Sequence, residues 1–320
     1  MNRILVSILA VVLFFSVGCQ RKDLLDPHDH SNIWINAQFD SIAQEQLLSN
    51  RSRYARNGEP ASTKYIVYAQ NTGRVAYTGS FDGIQGGIYL QEGVYDLMLY
   101  TSDFNEYDAN FFKNLENPDI AETHTRQTKV KEPREDVDEM YIVEPDPTFS
   151  YYYKDIVVRD IHEDITLDIE LVQKSFKYYL TIKAKGLQNI HTATMYISGM
   201  YTSAFLTNDE HRMNEAGIQT VDLEIRRYDY DDPLGNGELY GEFWSFGPNA
   251  REDIQNSITL HFINGDLIVM KLKDLTGQIK KLEKGGEIVV EQFLEIKGPA
   301  GGFNPGVGDW DNSTDVDLIL

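Results

Sequence analysis

Apolar and polar residues alternate with a period of two along most of the chain. Ile33, Ile35, Ala37 and Phe39 alternate with Trp34, Asn36, Gln38 and Asp40. Successive side chains of a strand point to opposite faces, so this pattern predicts a half-buried strand. Residues 41–64 then turn polar and read as a loop carrying Arg51, Arg53 and Arg56. Residues 64–69 read as a strand. Residues 86–90 and 93–100 read as two more, joined by Gln91, Glu92 and Gly93. Residues 113–148 hold Pro118, Pro133, Pro145 and Pro147 among many charges, and read as an irregular connection.

Ile165, Leu167, Ile169 and Leu171 then set one phase. Phe176, Tyr178, Leu180, Ile182 and Ala184 set the opposite one, after a reset at residues 172–175. A one-residue slip turns every side chain to the other face, so a boundary between two sheets is expected there. The second half repeats the alternation in Ala193, Met195 and Ile197, in Val221, Leu223 and Ile225, and in Ile258, Leu260 and Phe262. Asn264 and Gly265 then predict a hairpin with positive φ at both central residues, followed by a strand over 267–272. One helix is expected, with Asp274 as N-cap, Ile279 and Leu282 on one face and Gly285 beyond its end. Residues 287–296 and 316–320 read as closing strands. Strands at short spacing with almost no helix predict an all-β protein of antiparallel sandwiches, about two domains at ~150 residues each.

The first residues read as an address. Arg3 precedes an apolar run from Ile4 to Phe15, interrupted only by Ser7. That run is shorter than the roughly 20 residues a membrane span needs. It ends in Phe15-Ser16-Val17-Gly18-Cys19, which resembles the bacterial lipoprotein box. The resemblance implies cleavage before Cys19 and acylation of its thiol, with membrane attachment through that residue. Each buried CH2 contributes about 0.8 kcal/mol, so several acyl chains on one residue hold a protein durably. Arg21, Lys22 and Asp23 are similar to the surface-export signals of Bacteroidota lipoproteins. The expected organisation is a signal peptide over 1–18, an acylated tether over 19–31, and β-sandwich domains over 32–172 and 173–320. The expected location is the outer membrane, lipid-anchored and surface-exposed.

Charge narrows the classes of partner. The chain has 320 residues, with 29 Lys and Arg against 50 Asp and Glu, a net charge of −21. Such a surface repels nucleic-acid phosphates and anionic headgroups alike. The single Cys excludes an intramolecular disulfide. No catalytic constellation stands out. Gly79-Ser80-Phe81-Asp82-Gly83 lacks nucleophile-elbow spacing, and Gly235-Asn236-Gly237 lacks the setting of a dinucleotide loop. The reading is therefore a non-enzyme without a cofactor. His28-Asp29-His30, the trio Asp229, Asp231 and Asp232, and the group Asp309, Asp311, Asn312 and Asp315 carry metal-ligand chemistry. Only Asp309, Asp311 and Asp315 make a weak calcium candidate, without the mid-loop Gly and closing Glu of an EF-hand. Trp34, Trp244, Trp310 and Tyr151, Tyr152 and Tyr153 could stack on sugars. Trp244 and Trp310 carry the alternative reading, a glycan-binding surface lipoprotein of a polysaccharide-uptake system.

Several stretches together carry a family resemblance. They are the lipoprotein box, Leu90-Gln91-Glu92-Gly93-Val94-Tyr95-Asp96-Leu97, Tyr196-Ile197-Ser198-Gly199-Met200-Tyr201, and the run from Gly301 to Trp310 before an acidic tail. In order and length the chain resembles the fimbrillin-like lipoproteins of Bacteroidales, near a family of unknown function close to the fimbrial anchor and accessory subunits. The resemblance implies two tandem transthyretin-like, Greek-key β-sandwiches and a role as anchor, tip or accessory subunit in adhesion or pilus assembly. It also implies fimbrial subunits as partners, joined by donor-strand exchange, in which a strand of one subunit completes the sheet of another. Two segments suit that role. One is the first strand, with Ile33, Ile35 and Phe39, which trimming near Arg51, Arg53 or Arg56 would release. The other is the last, with Val316, Leu318 and Leu320 on one face.

Overall fold

The structure is a computed structural model that describes residues 31–48, 60, 62–102, 110–126, 140–208, 215–296 and 306–308. β1 (Ile33–Phe39) leads into α1 (Ser41–Leu48), then β2 (Ser62–Ala69), β3 (Arg74–Asp82), β4 (Gln85–Ile88) and β5 (Gly93–Ser102). β6 (Asn110–Lys113), β7 (Glu122–Thr125) and β8 (Tyr141–Ile142) precede β9 (Phe149–Val158) and β10 (Ile165–Gln173). The second half holds β11 (Phe176–Lys185), β12 (Ile190–Tyr201), β13 (Ser203–Phe205), β14 (Ala216–Arg227) and β15 (Gly237–Ser245). It closes with β16 (Asn256–Phe262), β17 (Leu267–Lys271), α2 (Thr276–Ile279), β18 (Gly286–Glu295) and β19 (Gly306–Gly308). The protein is all-β. Among the described residues no helix is long and apolar enough to cross a membrane.

The first core lies between the layers β3-β2-β5-β9 and β10-β1-β4. β9 and β10 join them at a corner through Val172 paired with Ser150 and Gln173 with Phe149. Ile33 and Ile35 of β1, Leu97 and Leu99 of β5, Phe149 of β9 and Leu167 and Ile169 of β10 meet in this core. The opposite face of β2 and β5 is buried as well. Ile66, Tyr68, Met98 and Tyr100 pack with Ala121 and Leu206 under β6 and β7. Burial on both faces explains why Tyr65-Ile66-Val67-Tyr68 and Leu97-Met98-Leu99-Tyr100 are continuously apolar rather than alternating.

The second core is built from the layers around β12 and β11. β14 pairs with β12 over its first part and with β15 over its last, so one long strand serves both layers. Tyr178, Leu180 and Ile182 of β11 pack there with Met195, Ile197, Ile258 and Leu260. β10 ends at Gln173 and β11 begins at Phe176, and the two strands lie in different sheets. The halves are also knitted together: β13 pairs with β7, and β8 runs parallel to β14.

Five local expectations are revised. Residues 113–148 are not wholly irregular, because β7 and β8 are recruited as strands by partners in the second half. The polar stretch after β1 opens with α1, capped by Asp40, whose Oδ1 accepts the Ala43 N–H at 2.6 Å. The strand expected over 86–90 is shorter, β4 at Gln85–Ile88, and pairs with β1, while β5 pairs with β2 and β9. The loop at Asn264 is longer than a two-residue hairpin. Phe262 N–H donates to Asp266, and only Gly265 takes positive φ, 93°. The helix after Asp274 is a single turn, α2, although Asp274 Oδ1 does accept the Thr276 N–H at 2.8 Å.

Candidate functional site

β1 is first in the described chain, yet it is an inner strand of its layer. It pairs in parallel with β10 over its whole length, from Ile33 with Ile165 to Phe39 with Leu171. On its other side it pairs antiparallel with β4, from Ile33 with Ile88 to Asn36 with Gln85. Its alternation is realised: Ile33, Ile35, Ala37 and Phe39 are buried, and the residues between them are exposed. The Phe39 ring lies 4.6 Å from that of Phe149.

Polar groups fix the register on both sides. Asn32 is buried just before β1; its Nδ2 donates to the Leu90 carbonyl at 2.8 Å, and its Oδ1 accepts the Leu90 N–H at 2.9 Å. Its own carbonyl accepts the Ile165 N–H at 2.9 Å. On the solvent face Asn36 Nδ2 donates to Asp168 Oδ1 at 2.8 Å and Gln85 Nε2 donates to Asn36 Oδ1 at 2.9 Å. Chemically the arrangement is a slot. With β1 withdrawn, β10 and β4 would each present a free backbone edge above four vacated apolar positions.

α1 extends the segment to the seam between the two cores. Its Ala43 and Leu47 pack into the first core. Gln46 Oε1 accepts Gln173 Nε2 at 2.7 Å and the Lys177 N–H at 3.3 Å. Nearby, fully buried Lys177 Nζ lies 2.7 Å from Glu242 Oε2, and Tyr240 donates its hydroxyl to Glu242 Oε1 at 2.6 Å. Desolvation pushes the Glu242 carboxyl up, but the hydrogen bonds from Lys177 and Tyr240 and the Lys177 and Arg226 charges outweigh it, holding it below the usual range.

Trp244 sits at this seam, and its expected role is corrected. It belongs to β15, but its side chain is fully buried in the first core. β15 turns Trp244 away from the second core, beside Lys177, and the first core covers that end of the strand. A ring with no exposed face cannot stack on a sugar. Tyr151 and Tyr153 are half-buried in the first sandwich, while Tyr152 donates to Asp96 Oδ2 at 2.9 Å, so these three do not form one open platform. Cys19, Arg51, Arg53, Arg56, Trp310, the calcium candidates Asp309, Asp311 and Asp315, and the strand residues Val316, Leu318 and Leu320 lie outside the described residues. Among the described residues no three His, Cys, Asp or Glu side chains converge as metal ligands. Asp229 and Asp232 instead fold their own turn, accepting the Asp231 and Leu234 N–H groups at 2.9 Å. Sequence reasoning did not find Asn32, Gln46 or Lys177, since nothing local marks a polar residue as buried.

These features define a class: an all-β chain with two packed cores and its first described strand seated between two others. Residues 18–222 match the family described as a domain of unknown function (DUF5119), and the chain belongs to that family. No curated protein matches it. Among solved structures, a candidate adhesin from Bacteroides ovatus ATCC 8483 shares the fold at a TM-score of 0.54 and 16% identity, over 88% of this chain and 94% of that one. A second candidate adhesin from Bacteroides ovatus aligns at 0.48 and 9% identity, over 90% and 95%. The fimbrial anchor protein Mfa2 from Porphyromonas gingivalis aligns at 0.46 and 9% identity, over 89% and 96%.

Proposed function

We propose that the protein is a lipid-anchored subunit of the outer-membrane surface that anchors, tips or accompanies a fimbrium in adhesion. In this reading residues 32–172 and 173–320 form two transthyretin-like domains, Cys19 carries the lipid, and the work is contact rather than turnover. The observation that carries it is the seat of β1: a segment at the start of the described chain that forms an inner strand, paired on both sides. Cleavage at Arg51, Arg53 or Arg56 would leave β1 and α1, with Cys19 ahead of them, joined to the rest of the protein only by noncovalent contacts, so the protein is lipid-anchored until that segment departs. A strand from a neighbouring subunit could then take the slot. The Bacteroides ovatus candidate adhesin of shared fold supports the surface role. The glycan-uptake alternative loses Trp244, whose ring is buried.

The test is limited cleavage of the purified protein with an arginine-specific protease, followed by addition of a peptide spanning residues 310–320. Native mass spectrometry should record loss of the β1–α1 fragment and capture of the peptide. Retention of the fragment with no capture under the same conditions refutes strand exchange. Separately, mass spectrometry of protein from the native host should find diacylglycerol on Cys19, and an intact leader would refute the anchor.

A further inference from the structure

The most exposed large apolar side chains of the described residues are not scattered. Tyr230 is 72% exposed, Ile263 70%, Tyr228 65% and Leu234 51%, and no other exceeds half. All four sit at one end of the second sandwich. β11 and β14 end there, β12 and β15 begin there, and it is the end remote from the seam with the first core. The two loops that carry them share a floor, the turn at Leu187–Asn189. The Gly186 N–H donates to the Leu234 carbonyl at 2.9 Å and the Leu187 N–H to Gly235 at 3.2 Å, while the Ile263 N–H donates to Asn189 at 3.0 Å. The loop of the tyrosines is closed at its base by Tyr228 N–H on the Asn236 carbonyl, and stiffened by the Asp232 bonds to Leu234 and Asn236. Four exposed apolar groups on braced loops form a presented surface.

We propose that this tip is a docking surface for a basic polypeptide segment of another protein, one bearing arginine or lysine between apolar residues. Charge selects that occupant. Exposed Asp229, Asp231 and Asp266 lie in the same two loops. Of the cations at this end, Arg227 rests its guanidinium 4.3 Å from the Tyr230 ring centre and Arg226 lies 3.5 Å from that of Tyr240, while the Lys185 charge acts on Asp232. The tyrosine faces of this region therefore already receive guanidinium groups. A chain of net charge −21 draws a cationic segment toward itself and repels nucleic acid. The same logic excludes the acidic tail of this chain as the occupant. That tail carries Asp309, Asp311, Asp315 and Asp317 with no Lys or Arg beyond Lys297. The tip is remote from β1, so this surface does not depend on strand exchange.

The experiment is fluorescence anisotropy with the full-length protein and a labelled peptide repeating arginine, leucine and glycine, beside its glutamate counterpart and a panel of neutral oligosaccharides. The arginine peptide should bind saturably and weaken with added salt, and the glutamate peptide should not bind. Binding should fall by roughly tenfold or more in the Tyr228→Ser/Tyr230→Ser, Ile263→Ser and Asp229→Asn/Asp231→Asn variants. The Glu163→Gln/Asp164→Asn variant removes the same charge from the first sandwich and should bind as the parent does. Circular dichroism confirms that each variant is folded, and Ile263→Ser tests the second loop independently of the tyrosine loop. No saturable binding, equal weakening in the control variant, or tip-dependent binding of an oligosaccharide in place of the peptide would each overturn the proposal.

Discussion

Asn32 offers the sharpest test of how β1 is held. Its amide satisfies both the N–H and the C=O of buried Leu90, and its own carbonyl receives the Ile165 N–H. One residue thus ties the start of β1 to the chain on both of its sides. In Asn32→Ala the two Leu90 groups lose their partner where little water can replace it. A buried polar group left unpaired costs ~1–3 kcal/mol, so two with partial relaxation should cost about 2–4 kcal/mol. Asn36→Ala removes two hydrogen bonds of similar length on the exposed face and should cost only about 0.5 kcal/mol, because water replaces them. Asn32→Asp adds a pH signature. A protonated carboxyl can both donate to the Leu90 carbonyl and accept its N–H; the ionised form sets an anion against that carbonyl. Folding therefore raises the carboxyl pKa above its ordinary value of about 3.9. The variant should be least impaired near pH 4 and lose stability as pH rises through its folded-state pKa. Urea unfolding followed by circular dichroism, at about pH 4 and pH 8, measures all three. An Asn32→Ala loss no larger than that of Asn36→Ala, or an Asn32→Asp deficit independent of pH, would refute the reasoning.

Three further outcomes rest on packing and charge. Gly186 has φ 89°, and a Cβ there would overlap the Ile296 carbonyl, whereas Gly265 has φ 93° with open space around it. Gly186→Ala should cost more than about 3 kcal/mol and Gly265→Ala about 1 kcal/mol, compared by thermal unfolding. Trp244→Ala should cost about 3–5 kcal/mol and speed amide exchange in β1 and α1, because the ring fills the first core. Glu242→Gln should cost about 1–3 kcal/mol at neutral pH by leaving buried Lys177 without this anion. Since the Glu242 pKa is depressed, its contribution is present above about 4.5 and lost as pH falls through the folded value, so parent and variant should converge in acid unfolding curves.

The strands that could be read directly were those with one buried face. β1 and β10 alternate cleanly because solvent lies on one side of each, and the change of parity before β11 marks where the sheet changes. The elements that escaped notice were decided by neighbours distant in sequence. α1 is only eight residues long and runs into a polar stretch, so Ala43 and Leu47 did not stand out as a helical stripe. β7 is Glu122-Thr123-His124-Thr125, a polar run that is buried throughout and is held as the middle strand between β13 and β6. Trp244 lies on the face of β15 that alternation assigns to solvent, and only the other half of the molecule makes it interior. Tyr228 and Tyr230 were hidden among aspartates, where a run of charge reads as a solvated turn until the exposure of the rings is known.

The position of β1 also sets which strands could replace it. β5 is an inner strand too, but the chain continues from both of its ends, so it cannot leave without unfolding the first sandwich. A break within 49–59 would leave β1 no covalent hold on β2 and the strands beyond. Its departure would still expose Ile33, Ile35 and Phe39, at roughly 1.5–3 kcal/mol each. An incoming strand therefore has to run parallel to β10 and antiparallel to β4 and offer apolar side chains at alternate positions. The third position is narrow, since Ala37 is buried there with no larger group. In protein stripped of residues 31–51, a saturating peptide of the native sequence 31–48, which carries Asn32, Gln46 and Leu47 as well as β1, should raise the unfolding temperature toward the parental value. The same peptide with Ala37→Leu should bind about 1–3 kcal/mol more weakly, because a filled core resists added methylenes. Equal rescue by both peptides would mean that the slot reads only backbone, and that side chains on β1 do not select its partner.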